Sequence, residues 1–77
     1  MQIKVLFFGI LSDKTGATSV TLEGINSIND LKQHLDNEYP SMEGQPYLFA
    51  VNQQISKDNC ELADGDEIAL MPPFAGG

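Results

Sequence analysis

A single helical pattern lies between two pairs of strand-like segments, and this order constrains the fold more than any other feature. Residues 2–8 are β-branched and aromatic, and residues 18–23 alternate strictly, as strands do. Residues 28–38 have apolar side chains at helical spacing, and strand-like segments return at 47–52 and 67–71. A sheet and a helix must each bury an apolar side. We therefore predict an α+β fold (β-β-α-β-β), a mixed sheet with one main helix packed on one face.

The helix has a start signal and a stop signal. Ser27 followed by Asp30 resembles a capping box, with Asp in place of the usual Glu. Pro40 ends the pattern because the residue before a proline avoids the α region. We predict a helix over residues 28–38, with an apolar face formed by Ile28, Leu31, Leu35 and Tyr39.

The first and last strands, expected side by side in the middle of the sheet, are apolar on both faces. Alternation assigns one set to the core: Ile3, Val5, Phe7, Ile68 and Leu70. The opposite side then holds Leu6, Phe8, Ala69 and Met71, joined by Ile55. The helix covers only the core side, so we expect an exposed partner surface. The alternative is that the loop 9–18, with room for one helical turn around Ile10–Asp13, or the loop 53–63 folds over it.

Length and charge limit what the chain can bind. Its 77 residues allow one domain, too small for a deep enclosed active site. Lys and Arg number 4 against 11 Asp and Glu, a net charge of −7, which argues against nucleic acid and favours a basic partner surface. We find no apolar run or leader typical of a membrane or secreted protein. The lone Cys60 indicates a reducing compartment, hence a cytoplasmic location.

Side chains that perform catalysis are nearly absent. Cys60 and His34 are the only residues of their kind, and the structural role is the expected one for both. The chain cannot supply the ligands of a zinc site and has no phosphate-binding loop, so we predict no metal. Five carboxylates form either a solvated edge and turn or a docking patch for a basic partner: Asp58, Glu61, Asp64, Asp66 and Glu67.

The final segment, Pro72-Pro73-Phe74-Ala75-Gly76-Gly77, has the most distinctive pattern. The prolines keep it extended, and over its length it reaches about 20 Å. Glycines lack a Cβ and can enter a narrow channel. A terminal carboxylate becomes a good electrophile once adenylation by ATP makes it an acyl phosphate anhydride. The pattern favours a tail that delivers an activated acyl group, and a frayed terminus is the alternative.

Several stretches of the sequence recur together in one known family. They are Ile3–Phe8, Leu31–Leu35 with Tyr39-Pro40, Ala50–Gln53, Leu62 with Asp64–Glu67, and Met71–Gly77. Over its whole length the chain resembles the small-subunit family of molybdopterin synthase (MoaD), sulfur carriers with the ubiquitin-like β-grasp fold. The resemblance implies one β-grasp domain over residues 1–77, with residues 72–77 as an extended Gly-Gly tail.

The resemblance also implies a role in molybdenum cofactor biosynthesis. A ubiquitin-activating-type adenylyltransferase (MoeB-like) would use ATP to adenylate Gly77, and a sulfur donor would convert it to a thiocarboxylate. Gly76 and Gly77 would enter the active site of the large subunit (MoaE-like) of a heterotetramer, where sulfur passes to cyclic pyranopterin monophosphate. The chain would not be catalytic alone and would bind no cofactor. The implied partner contacts are Phe8, Ile55, Met71, Pro72, Pro73, Phe74 and Ala75.

Other functions stay open at the level of sequence. They are a sulfur carrier for thiamin or cysteine synthesis, a ubiquitin-like protein modifier, and a binding module with an inert tail. The chain also departs from the family pattern at Ser12-Asp13, where relatives often have Arg-Glu, and at Phe74-Ala75, where many have Val-Ser or Val-Thr.

Overall fold

The computed structural model describes residues 1–56 and 58–73. In this part of the chain the strands are β1 (Gln2–Phe7), β2 (Ser19–Glu23), β3 (Leu48–Val51), β4 (Gln54–Ser56) and β5 (Glu67–Met71). The helices are α1 (Ile10–Thr15) and α2 (Ile28–Glu38), and a 3₁₀ turn follows at Pro40–Met42. The predictions made for Phe74, Ala75, Gly76 and Gly77 lie outside the described residues.

All strands join one sheet in the order β2-β1-β5-β3-β4. β1 and β5 pair in parallel, with Val5 opposite Ile68, and the other neighbours pair antiparallel. The predicted mixed sheet, with the first and last strands adjacent, is confirmed. Because β5 runs parallel to β1, both strands end at the same edge of the sheet, where Phe8 and Pro72 follow them.

The bounds of α2 match the prediction, and its cap explains why. The Ser27 side chain accepts a hydrogen bond from the Asp30 amide at 3.1 Å. Asp30 reaches back one residue further than in a standard capping box, and accepts from the Asn26 amide at 3.3 Å. Among the described residues, no helix has the length and apolar character needed to cross a bilayer.

The core lies between α2 and one face of the sheet. The predicted core residues Ile3, Val5, Phe7, Ile68 and Leu70 are at most 3% exposed. Ile28, Leu31 and Leu35 face them from α2 and are also buried. Tyr39 lies at the edge, where its ring meets the Phe7 ring edge-on at 5.6 Å between centroids.

The segment after β1 contributes more to the core than the sequence indicated. It forms a full helix of six residues, and Leu11 is completely buried. The helix ends at Gly16, which has the left-handed conformation typical of a C-terminal cap. The Ser41 hydroxyl donates a hydrogen bond to the Lys14 carbonyl, so α1 also contacts the 3₁₀ turn that buries Met42.

Acidic residues at the other end of the sheet hold turns together. Asp66 accepts hydrogen bonds from the Ala63 amide at 2.7 Å and from the Asn52 side-chain amide at 3.0 Å. Asp64 accepts from the backbone amide of Gln2 at 2.6 Å. The hydrogen bond from Ala63, followed by that from Asn52, lowers the pKa of Asp66 below its ordinary value.

Replacing Leu11 should test whether α1 is part of the core. We expect Leu11→Ala to lower the free energy of unfolding by about 2–5 kcal/mol, since it leaves a cavity in a packed interior. Ile10→Ala is the matched control, because Ile10 is 45% exposed, and should stay within about 0.5 kcal/mol of the parent. Urea denaturation followed by circular dichroism measures both. Equal effects of the two substitutions would contradict the packing of α1.

The lowered pKa of Asp66 predicts an acid-labile turn. Its ionised form is favoured by folding, so its contribution to stability is present above about pH 4 and is lost as pH falls through the folded pKa. Asp66→Asn should reduce stability at neutral pH and flatten its fall at acid pH. Glu43→Gln, at an exposed position, should change neither. The measurement is the denaturant midpoint of each variant from pH 2 to 7. If the loss of stability at acid pH is the same in Asp66→Asn as in the parent, the prediction is refuted.

Candidate functional site

The described residues contain no cluster that resembles a catalytic or metal centre. No group of three or more His, Cys, Asp and Glu side chains there is arranged to hold a metal ion. Cys60 is a free, half-buried thiol, and its sulfur lies 3.7 Å from the Ser56 hydroxyl. His34 is half-buried on α2. Neither residue forms a nucleophile–base pair, either with the other or with another residue that the structure describes.

A cleft of about 890 Å³ lies on the helix side, between α2 and the segment that leads into β3. Tyr47 lines it, and the Tyr47 hydroxyl is buried without a hydrogen bond among the described residues. Burial, and then the nearby charge of Asp36, raises the pKa of this phenol. A neutral phenol without a partner acid or base does not form a catalytic pair.

The face of the sheet opposite α2 holds the predicted exposed apolar residues. Strand register aligns four small or apolar side chains across it, in the order Leu6, Ala69, Ala50 and Ile55. Met71 and Leu48 pair in the next row, and Phe8 follows β1 at the same edge. We call this set the uncovered face: Leu6, Phe8, Leu48, Ala50, Ile55, Ala69 and Met71.

Both loops that were candidates to cover this face pack on the helix side instead. Leu11 of α1 belongs to the core cluster beneath α2. In the other loop, the carbonyl of Cys60 accepts from the Ile28 amide at 3.0 Å, and the Leu62 amide donates to Asn26 at 2.8 Å. The described parts of both loops therefore pack on the helix side of the sheet, and they do not cover the uncovered face.

Exposure is concentrated on the large side chains of the uncovered face. Phe8 is 47% exposed, Ile55 55% and Leu48 36%, while Met71 is half-buried. Leu48 was not among the residues predicted for this face. Strict alternation from Ala50 would have placed Leu48 on this side of β3. Several large apolar groups on one open face are typical of a protein-binding surface.

The uncovered face is apolar at one end and polar at the other. In the last paired rows Lys4 lies between Thr21 and Glu67, and the Gln2 side-chain amide donates to the Glu23 carboxylate at 2.8 Å. The apolar end, with Phe8 and Met71, is the end at which β5 leads into Pro72. An apolar centre with a polar margin is the usual composition of a protein interface.

Pro72 and Pro73 are half-buried where the chain leaves the sheet. Gly9 has a φ of 59°, and a Cβ there would lie 3.1 Å from Cγ of Pro72. The turn after β1 thus packs closely against the first residue of the predicted tail. The structure brings Phe8, Met71 and Pro72 to one edge of the sheet, with Ile55 across the face on β4.

Comparison with known proteins identifies the family. Residues 5–77 match the model of the ThiS family. The molybdopterin synthase sulfur carrier subunit of Escherichia coli is 37% identical, over 99% of this chain and 100% of its own length. A solved complex of subunits 1 and 2 of molybdopterin-converting factor from Helicobacter pylori contains a similar chain, with a TM-score of 0.76, 26% identity and full coverage of both chains.

A further solved structure shows the fold alone. SAMP1 from Haloferax volcanii superposes with a TM-score of 0.81 at 22% identity, with full coverage of both chains. The predicted ubiquitin-like β-grasp fold and the resemblance drawn from the sequence are both confirmed. The chain therefore belongs to the ThiS family, together with molybdopterin synthase sulfur carrier subunits such as that of E. coli.

Proposed function

We propose that this chain is the sulfur carrier subunit of a molybdopterin synthase and acts in molybdenum cofactor biosynthesis. One observation carries the proposal from the structure: an uncovered apolar face ends where the chain leads into Pro72. Full-length relatives named as such carriers, 37% identical in the E. coli case, select this function among those the fold supports. The reactive group in this proposal is the carboxylate of Gly77.

The chemistry requires activation of that carboxylate. A MoeB-like adenylyltransferase transfers AMP from ATP to Gly77 and releases pyrophosphate. A sulfide-class donor then displaces AMP and leaves a thiocarboxylate. The protein itself binds no cofactor in this scheme, because its own terminus serves as the reagent. Gly76 and Gly77, without side chains, fit a channel too narrow for other residues.

The acceptor step takes place in the large subunit. That MoaE-like partner covers the uncovered face, receives the tail, and holds cyclic pyranopterin monophosphate. The sulfur of the Gly77 thiocarboxylate forms a carbon–sulfur bond with this substrate in place of an oxygen, and water then cleaves the acyl–sulfur bond, so that Gly77 returns as a carboxylate. Two such transfers complete the dithiolene. The H. pylori structure is a complex of two such subunits, which supports a large-subunit partner here.

Individual contacts follow from this arrangement. Phe8, Ile55 and Met71 bury apolar area against the partner, and Pro72 and Pro73 direct the tail with Phe74 and Ala75 at the channel entrance. The net charge of −7 fits a partner that supplies the cations for an anionic pterin substrate, and it increases the rate of encounter with a basic surface.

The first test concerns the tail. We expect the purified chain, incubated with its adenylyltransferase, ATP and a sulfur donor, to exchange one oxygen of Gly77 for sulfur, as read by intact-protein mass spectrometry. Deletion of Gly76-Gly77 should abolish the exchange and leave the thermal midpoint unchanged, since glycines have no side chain to contribute to a core. Two results would overturn the carrier function: no exchange in the parent, or a mature chain that continues beyond Gly77. Isopeptide adducts on other proteins would instead support a modifier.

The second test concerns the uncovered face. Phe8→Asp should weaken binding to the large subunit by at least about tenfold, because a charge would be placed in a desolvated contact. Gln33→Glu adds a charge to the exposed surface of α2 and is the control, with no expected change in affinity. Isothermal titration calorimetry measures both variants. Equal affinities for the parent and Phe8→Asp would show that the partner binds elsewhere.

A further inference from the structure

The tight turn between β3 and β4 has an unusual residue in a strained position. Val51 pairs with Gln54, so Asn52 and Gln53 alone form the connection. Both have positive φ, 49° for Asn52 and 74° for Gln53. A two-residue turn with positive φ at both positions suits the twist of a hairpin and favours Asn followed by Gly. Gln53 therefore occupies the position at which glycine is strongly preferred.

Internal contacts explain Asn52 fully. Its backbone amide donates to the Glu67 carbonyl at 2.8 Å, and its side-chain oxygen accepts from the Glu67 amide at 3.0 Å. Its side-chain amide also donates to the Asp66 carboxylate at 3.0 Å. Asn also tolerates the left-handed conformation better than most residues. Asn52 fixes the turn against the start of β5.

No comparable contact explains Gln53. Its side chain is exposed and makes no hydrogen bond to any residue in the described ranges 1–56 and 58–73. A long side chain in the left-handed region costs folding free energy, and strain of this kind is often found where a residue is needed for binding. Glycine would form the same turn with less strain, so the folded chain alone gives no reason for glutamine.

The position of the turn suggests what the side chain contacts. Ala50 and Ile55, on either side of the turn, both belong to the uncovered face. The turn lies at the polar end of this face, next to the row that contains Lys4 and Glu67. A side chain held there stands at the margin of any partner that covers Ile55. Polar margins supply directional hydrogen bonds that fix how two proteins are oriented.

We propose that Gln53 is a specificity-determining contact of the uncovered face, where its side-chain amide hydrogen-bonds to polar groups at the rim of the large-subunit partner. This inference rests on the proposed function, because it assumes that the partner covers the uncovered face. The amide both donates and accepts, so it fits a peptide group or an Asn or Gln side chain better than a lone charge.

Two substitutions separate the side chain from the backbone. Gln53→Gly removes the amide and relieves the strain, whereas Gln53→Ala removes the amide and keeps the strain. We expect Gln53→Gly to raise the thermal midpoint by about 2–5 °C, and Gln53→Ala to leave it nearly unchanged. Both variants should bind the large subunit about three- to tenfold more weakly, the loss typical of one neutral hydrogen bond.

The readouts are differential scanning calorimetry of the free chain and isothermal titration calorimetry with the large subunit, with Phe8→Asp as the reference variant. Support requires that affinity falls in both Gln53 variants while stability rises only in Gln53→Gly. Unchanged affinity in both variants, together with weakened binding of Phe8→Asp, would overturn the inference and leave the proposed function standing. Unchanged affinity in all three variants would overturn the proposed function as well.

Discussion

The parallel pairing of β1 and β5 is the constraint on which the rest of the structure depends. It joins β1 and β5 in the middle of the sheet, with Val5 beside Ile68 and both completely buried. Parallel strands also end at the same edge, so the chain leaves β5 beside the turn that follows β1. The close approach of Gly9 to Pro72 is a direct consequence. The pairing therefore places β1 and β5 together in the core and sets the point at which the chain leads into Pro72.

The sheet packs one substantial helix on one face, and the residues that the structure describes leave the opposite face without a covering layer. Parallel pairs normally occur with both faces buried, because their strands are apolar on both sides. Here α2, α1 and the loop near Cys60 all pack on the same side. Leu6, Ala69, Ala50 and Ile55 then form a row on the other face, in which Ile55 is exposed, Leu6 and Ala69 are half-buried and Ala50 is buried. In the proposed function a large-subunit partner would supply the second layer over this face, which connects the fold to the proposed assembly.

Alternation and capping predicted the sheet and α2 because these signals are local. The alternate spacing of Ile3, Val5 and Phe7 is enough to assign them to the same face of β1. Ser27 caps the start of the helix and Pro40 ends it, and both effects are local to the backbone.

Tertiary contacts determine the elements that the sequence predicted less completely. α1 is short and largely polar, and it is stabilised by the burial of Leu11 and by a hydrogen bond from the Ser41 hydroxyl. Neither contact can be predicted from the sequence of α1 itself. Leu48 was missed although the signal is local, because the alternation of β3 was not followed back from Ala50 to the start of the strand. The turn at Gln53 differs from these elements, because glutamine is unfavourable at a position with positive φ. A residue that local preferences disfavour is expected at a functional site, where binding as well as folding determines the residue.

The division of labour between chain and partner follows from size. A domain of 77 residues cannot enclose a reaction, and among its described residues no catalytic pair or metal cluster is found. Such a domain could still position a reactive terminus in the active site of a partner, provided that the partner binds the body of the domain in one orientation. In the proposed complex the uncovered face would provide this attachment on the side from which the chain enters Pro72, and hydrogen bonds at its polar end would oppose rotation about the apolar centre. A partner that binds the face near Phe8 is thereby positioned at the start of the tail. In the proposed function, recognition of the body and delivery of the terminus would be a single event, and the partner would exclude water from the thiocarboxylate once the face is covered.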